Sequence, residues 1–254
     1  MLSFAGALLL FAAGVAAGTI NTIVGSGSLI TFPTLLGLGY SPIVANVTND
    51  EGIVPGTLSG SLGYRRELAG QRNRLLWLGT ASAAGGLTGA VVLLALPGSV
   101  FREVIPVLIL VACALVAAQP WLSARLVKRR ALATKPPAHG GPGLFVTVYL
   151  TGVYGGYFGA AQGVILIALL GIFLEDDLQR LNAAKNVLAL VINGVAALVF
   201  IFAAHVAWGA AGVLALGSII GGQLGATVGR RLPAQVLRWT IIVVGVAVAI
   251  RLMV

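Results

Sequence analysis

The sequence predicts an all-α integral membrane protein built from two inverted-topology repeats, each of about five helical pieces that include broken or re-entrant helices. Three observations predict it: extreme apolarity in long uncharged runs, an internal register between the two halves, and the placement of the basic residues. Only 9% of the residues are charged and the mean hydropathy is +1.01, where a soluble domain carries roughly 25% charged residues. Residues 1–49, 75–101, 104–124 and 186–229 carry no Asp, Glu, Lys or Arg. A membrane-spanning helix needs about 20 mainly apolar residues, so these runs hold several spans and little remains for a soluble domain.

The internal register has an offset of 136. It brings Gly27 onto Gly163, Asn46 onto Asn182, Ser82 onto Ser218 and Arg102 onto Arg238. The densest match sets GGLTGAVVLLALP from Gly85 against GGQLGATVGRRLP from Gly221, repeating five small or branched residues, a leucine and a proline without a gap. Upstream the register slips by two, pairing Gly14 and Gly18 with Gly152 and Gly156. Internal repeats of this kind mark transporter folds. The resulting units are repeat 1 (residues 1–123), a basic linker (124–142) and repeat 2 (143–254).

Basic residues orient the halves. Twelve of the 16 cations fall in three clusters: Arg65, Arg66, Arg72, Arg74; Arg125, Lys128, Arg129, Arg130, Lys135; and Arg230, Arg231, Arg238. Each lies between apolar runs, where positive charge marks cytoplasmic loops; the formal charge of +9 therefore does not point to nucleic acid. The counterpart of the basic 65–74 loop is the neutral 203–209 segment, and the counterpart of the sparse 97–103 turn is the basic 230–238 loop. Inverted halves satisfy all three clusters, and parallel halves do not. The linker is then cytoplasmic and both termini lie outside. Residues 1–17 have an apolar core without the basic start of a secretory signal, and their pattern recurs internally, so they read as a transmembrane helix.

The first stretch of each half is interrupted: NTIVGSGS (21–28) and GGYFGAAQG (155–163). About a dozen apolar residues follow each break, roughly 18 Å of helix, too short to span squarely. Two short crossings or a re-entrant hairpin would both return the chain to its starting side.

Polar groups at bilayer depth are costly and mark candidate sites. The breaks contribute Asn21, Thr22, Gly25, Ser26, Gly27 and Ser28 in one half and Gln162 and Gly163 in the other. Glycines let the chain leave helical geometry, and N–H groups freed at the following helix start bind anions; close packing through small residues is the competing reading. A second constellation is ANVTNDEGIVPG, mirrored by LNAAKNVLALVING, with Asn46, Thr48 and Asn49 set against Asn182, Ala184 and Lys185. A buried Lys185 needs an anionic partner, unless it snorkels with Arg180 to the surface near residues 175–177. Asp50 and Glu51 are candidates for proton coupling, or for pairing with Lys185, or are solvated at the outer mouth.

No enzyme centre is expected. His139 and His205 have no Cys or carboxylate at metal-ligand spacing, and neither a phosphate-binding loop nor a serine-nucleophile motif occurs. No metal, cofactor or ATP drive is implied. Cys113, the single cysteine, reads as core packing, and Trp77, Trp121, Trp208 and Trp239 sit where an interfacial belt would place them.

The segments GTINTIVGSGSLITFPTLL, ANVTN with VPGTLSGSLGYRREL, GVYGGYFGAAQGV and LNAAKNVLALVINGVAALVF give the chain a resemblance to the TauE/SafE family of sulfite and organosulfonate exporters. The resemblance covers nearly the whole chain, in order and in both repeats. It implies secondary transport of a small, often sulfur-containing oxyanion across the inner membrane, outward and driven by an ion gradient. Carried over by position, its substrate contacts are the two Gly-rich breaks plus Asn46, Thr48, Asn49, Asn182, Lys185, Asn186 and Asn193. One departure stands out: where relatives follow the Thr-Asn pair with a neutral or basic residue, this chain has Asp50-Glu51, which repel an anion unless protonated or displaced from it. A passive anion channel and a non-transporting scaffold subunit are the rival readings; partners beyond the bilayer and a small anion, and the oligomeric state, are left open.

Overall fold

The computed structural model describes residues 2–130 and 140–227, together with 239, 242, 243, 246, 247, 249 and 250. His139, Lys135, Arg230, Arg231 and Arg238, read above from the sequence, lie outside the described residues. Among those described the chain is all-helical: α1 (Phe4–Ile23), α2 (Ser28–Gly37), α3 (Pro42–Gly63), α4 (Arg72–Ala95), α5 (Gly98–Arg130), α6 (Gly141–Tyr157), α7 (Gln162–Phe173), α8 (Leu178–Ala203) and α9 (Trp208–Thr227). Among the described residues five helices are long and apolar enough to cross a membrane: α1, α4, residues Gly98–Ala118 of α5, α8 and α9. The 22-residue α3 is long enough but carries the polar ANVTND segment. Helix α5 continues through 124–130, so the first part of the expected linker is helical, as its Leu-, Ala-, Lys- and Arg-rich sequence favours.

Helix directions follow from which residues meet. Gly14 of α1 faces Leu214 of α9 and Gly18 faces Ser218 and Gly222, while Gly52, Gly56 and Gly63 of α3 face Leu214, Ser218 and Ala226. The numbers rise together, so α1, α3 and α9 run the same way. Likewise Gly85 and Gly89 of α4 face Gly152 and Gly156 of α6. Gln71, at the head of α4, donates to the Arg180 carbonyl of α8 at 3.0 Å, and Gly86 faces Ile192. Helices α4, α6 and α8 therefore run together. Against α8, α3 runs in the opposite sense: Tyr64 clusters with Ala183, and Thr48 accepts from the Ala207 N–H, just past the end of α8, at 3.0 Å. The Gly-lined seams let backbones touch, which is how helices associate where lipid offers no hydrophobic drive.

The interrupted stretches are hairpins of one long and one short helix. Gly27 lies against Ala17, and Gly6 faces Leu38 at 3.2 Å, so α2 runs back along α1. In the other half Gly143 faces Phe173 at 3.2 Å and α7 runs back along α6. At 1.5 Å per residue the 10-residue α2 covers about 15 Å, half of a roughly 30 Å hydrocarbon core. The short helices thus begin deep in the protein, and α2 and α7 end at opposite surfaces.

Helix α5 lies along this bundle, with Phe101, Ile105, Ile109, Ala112, Cys113 and Val116 buried and Val107, Leu110 and Val111 outward. Other outward side chains are also large and apolar, among them Phe4, Leu150, Phe202 and Leu216. Many polar side chains sit inside, among them Asn46, Asn49, Gln162, Asn182 and Asn193. A protein with a polar interior strip and an apolar exterior is one whose solvent is lipid.

Candidate substrate site

The two breaks meet each other. After Ile23 the chain leaves the helix: the Val24 and Gly25 N–H groups both donate to the Ile20 carbonyl, at 2.7 and 3.1 Å. Gly25 then takes φ +89°, in the left-handed region that favours glycine. Its carbonyl accepts from the Gly163 N–H at 3.1 Å, and a methyl added to either glycine would strike the other's backbone. The second break turns through Gly159 (φ +74°) and Ala161 (φ +59°), a non-glycine with positive φ. Tyr154 steadies it by donating its hydroxyl to the Ala160 carbonyl at 2.5 Å.

A polar strip on α8 closes the end of α1. Residues 182, 185 and 186 share one helix face, three and four positions apart. Lys185, fully buried, donates its Nζ to the carbonyls of Asn21 at 3.1 Å and Thr22 at 3.2 Å. Asn182 and Asn186 donate to the same Thr22 carbonyl at 3.2 and 3.3 Å. A cation at a helix C-terminus meets the negative end of the helix dipole and its unsatisfied carbonyls. Lys185 therefore does not snorkel, and it makes no ion pair with Asp50 or Glu51. Arg180 does reach the surface, where its Nε and the Arg74 Nη1 each lie 2.7 Å from Asp176.

The other half carries a matching device. Asn46, the register mate of Asn182, donates to the Tyr157 carbonyl at the end of α6 at 3.1 Å. Asn49 donates to the Ser28 hydroxyl at 3.2 Å and accepts from Thr31. Gln162 donates to Asn193, near the middle of α8. Asn21 donates to Thr57 at 3.0 Å. The Ser26 hydroxyl, the Gln162 Oε1 and the Asn182 Oδ1 are buried without a partner among the described residues.

The structure thus gathers Asn21, Thr22, Gly25, Gly163, Lys185, Asn182 and Asn186 at the crossing, with Asn46, Asn49, Gln162 and Asn193 around it. Thr48 is not brought there; it holds the loop between α8 and α9. The expected ring of free N–H groups is only partly present. At the start of α7, the N–H groups of Gln162, Gly163 and Val164 already donate to Gly159, Gly25 and Ala161. At α2 the ladder begins with Leu29 and Ile30, donating to Ser26 and Gly27, so Gly27 and Ser28 lie ahead of it.

The two acids diverge. Asp50 lies on the face of α3 that carries Asn46, Ile53 and Thr57, toward the polar interior. Glu51 shares a face with the outward Leu58 and Leu62. The Asp50 Oδ2 and Glu51 Oε1 atoms are both buried without a partner. Thr57 and Thr31 were missed in the sequence; Thr57 is the register mate of Asn193, which was signal enough to find it, whereas Thr31 has an apolar mate. Among the described residues no three His, Cys, Asp or Glu side chains converge as metal ligands.

Comparison with known proteins agrees with this architecture. A "Probable membrane transporter protein ORF9" of Sinorhizobium sp is 28% identical over 246 residues, covering 96% of this chain and 91% of that protein. A "Probable membrane transporter protein" of Haemophilus influenzae is 29% identical over 86% of this chain and 83% of its own. The "Probable membrane transporter protein YfcA" of Escherichia coli K12 is 24% identical over 96% and 88%. No solved structure matches. The sulfite exporter TauE/SafE family matches residues 10–252, and this multi-pass membrane protein belongs to that family.

Proposed function

We propose that the chain is a secondary transporter that moves a small, sulfur-containing oxyanion such as sulfite or an organosulfonate out across the cytoplasmic membrane. The two oppositely directed halves alternate access to a site at the crossing of the two breaks. The observation that carries the reading is Lys185: a fully buried side-chain amine whose partners are neutral carbonyls. Carbonyls satisfy its hydrogen bonds but cannot offset the charge it carries when protonated, and a buried charge without a counter-charge is expensive. An anion arriving beside Lys185 supplies that counter-charge. Of the buried atoms without a partner, the Ser26 hydroxyl can donate to such an anion, whereas the Gln162 and Asn182 amide oxygens only accept.

Asp50 is the coupling group in this scheme. It stands on the interior face of α3, and its protonation would remove the charge that repels the anion.

The test is uptake of sulfite and of sulfoacetate into proteoliposomes, with wild type and Lys185→Met, which keeps an unbranched side chain of similar length and loses the charge. A charged hydrogen bond is worth about 1.5–3 kcal/mol, so the variant is expected to lose at least roughly tenfold in transport while remaining folded. Undiminished transport by Lys185→Met defeats the assignment. Flux that does not saturate or couple to a gradient would indicate a channel, and no flux of any anion in wild type would indicate a scaffold.

A further inference from the structure

A groove of about 560 Å³ runs down the outside of the protein between α4 and α8. It is lined by Leu68, Leu75, Leu76, Gly79, Ala83, Val187 and Val191, with Arg72 at its upper end and Thr80 partway down. We propose that it is a binding site for one anionic phospholipid, which seats an acyl chain along the groove and its phosphate on Arg72.

Four features point to this occupant. First, the groove is almost wholly apolar and open to the side, so its natural filling is hydrocarbon rather than a polar solute. Second, its length fits one leaflet. From Arg72 to Ala83 is eleven helical steps, roughly 16 Å at 1.5 Å per residue, about half of a 30 Å hydrocarbon core. Third, its depth is set by Trp77, half-exposed one residue beyond Leu76 and stacked on Phe145 with ring centroids 4.5 Å apart. A tryptophan there marks the headgroup level. Fourth, the charge at the mouth is free. Arg72 is exposed and makes no ion pair among the described residues, in contrast to Arg74, two residues on, which is held by Asp176. The exposed Arg65 and Arg66 lie in the same short connection between α3 and α4 and add to the positive field. Basic ends of grooves between membrane helices attract anionic headgroups, each cation contributing about 1 kcal/mol.

Gly79 lies on the wall of the groove. A methyl group added at that position would meet nothing within 4 Å, so a large side chain placed there can extend into the groove. The lining also comes from both halves of the chain, α4 from one and α8 from the other. An acyl chain lying there bridges them without touching the substrate site.

The test is native mass spectrometry of the purified full-length protein after delipidation, titrated with phosphatidylglycerol or with phosphatidylcholine of identical acyl chains. Inorganic phosphate and glycerol phosphate serve as chainless probes, followed by thermal shift. The expected result is a one-to-one phosphatidylglycerol adduct that phosphatidylcholine does not form equally, with no shift from either chainless anion. Arg72→Gln is expected to weaken the adduct about fivefold, the effect of one lost cation. Gly79→Phe, which fills the groove from an open position, is expected to abolish it. Equal binding of the two lipids, an adduct untouched by Gly79→Phe, or a response to phosphate alone would each overturn the site. Both variants change outward positions, and unchanged thermal midpoints without lipid would show that they fold.

Discussion

Asp176 is the residue whose charge ties two connections together at the basic end of the protein. It lies between α7 and α8, taking Arg74 on one oxygen and Arg180 on the other, each at 2.7 Å. Arg180 also donates to the Ala69 carbonyl at 3.0 Å, so its guanidinium links the Asp176 carboxylate to the loop after α3. Partial burial pushes the Asp176 carboxyl upward. The hydrogen bonds from Arg74, Arg180 and the Asp177 N–H, with the Arg180 charge, outweigh it and hold the group below its ordinary 3.8. A carboxyl depressed in the folded state contributes stability that is present above its unfolded value and lost as pH falls through the folded one. Asp176→Asn should therefore lower unfolding stability by about 1–2 kcal/mol at pH 7, and the gap from wild type should shrink below about pH 4. Thermal unfolding in detergent across that range reads it; a gap that is constant with pH would mean the carboxylate charge is not what holds the loops. At this scale the sequence was informative about which side chains are polar and buried, and less so about their partners. Lys185 was legible as a cation in an apolar run, but its acceptors are backbone carbonyls 163 and 164 positions away, and carbonyls leave no mark in a sequence.

At the scale of elements, the helix breaks were the most readable feature and the internal geometry of each break the least. Glycine clusters in apolar runs announced where α1 and α6 end. That the breaks would touch, Gly25 against Gly163, depends on how the halves dock. The extension of α5 through residues 124–130 was hidden for another reason: charge marked that stretch as a loop, although its residues are good helix formers. The crossing gives a graded expectation. Gly25→Ala meets a positive φ, costing about 1–2 kcal/mol, and also a collision with Gly163, where overpacking costs about 1–3 kcal/mol. Gly163→Ala meets only the collision. Gly209→Ala, on α9 with nothing within 4 Å of the added methyl, should be neutral within about 0.5 kcal/mol. Stability and transport should fall in that order, Gly25 most, and equal tolerance of all three would mean that the breaks do not need to touch.

At the scale of the whole molecule, the arrangement of charge and the directions of the helices make the same demand by independent routes. The sequence argument used only where Lys and Arg fall. The structural argument uses only which residues meet: α1, α3 and α9 run one way, and α4, α6 and α8 the other. Together they place the 64–71 connection and the 174–177 connection at one end, and the 38–41 and 204–207 connections at the other. If the basic end is cytoplasmic, as cation placement argues, a single cysteine introduced at Arg65 in a Cys113→Ser background should react with an impermeant maleimide only from the cytoplasmic side. One introduced at His205, exposed between α8 and α9, should react only from the outside. Sealed vesicles of both orientations separate the outcomes. Labelling of both positions from one side would break the proposed inversion of the two halves, because the 65–74 and 203–209 loops are counterparts in the two halves and opposite orientations must put them on opposite sides.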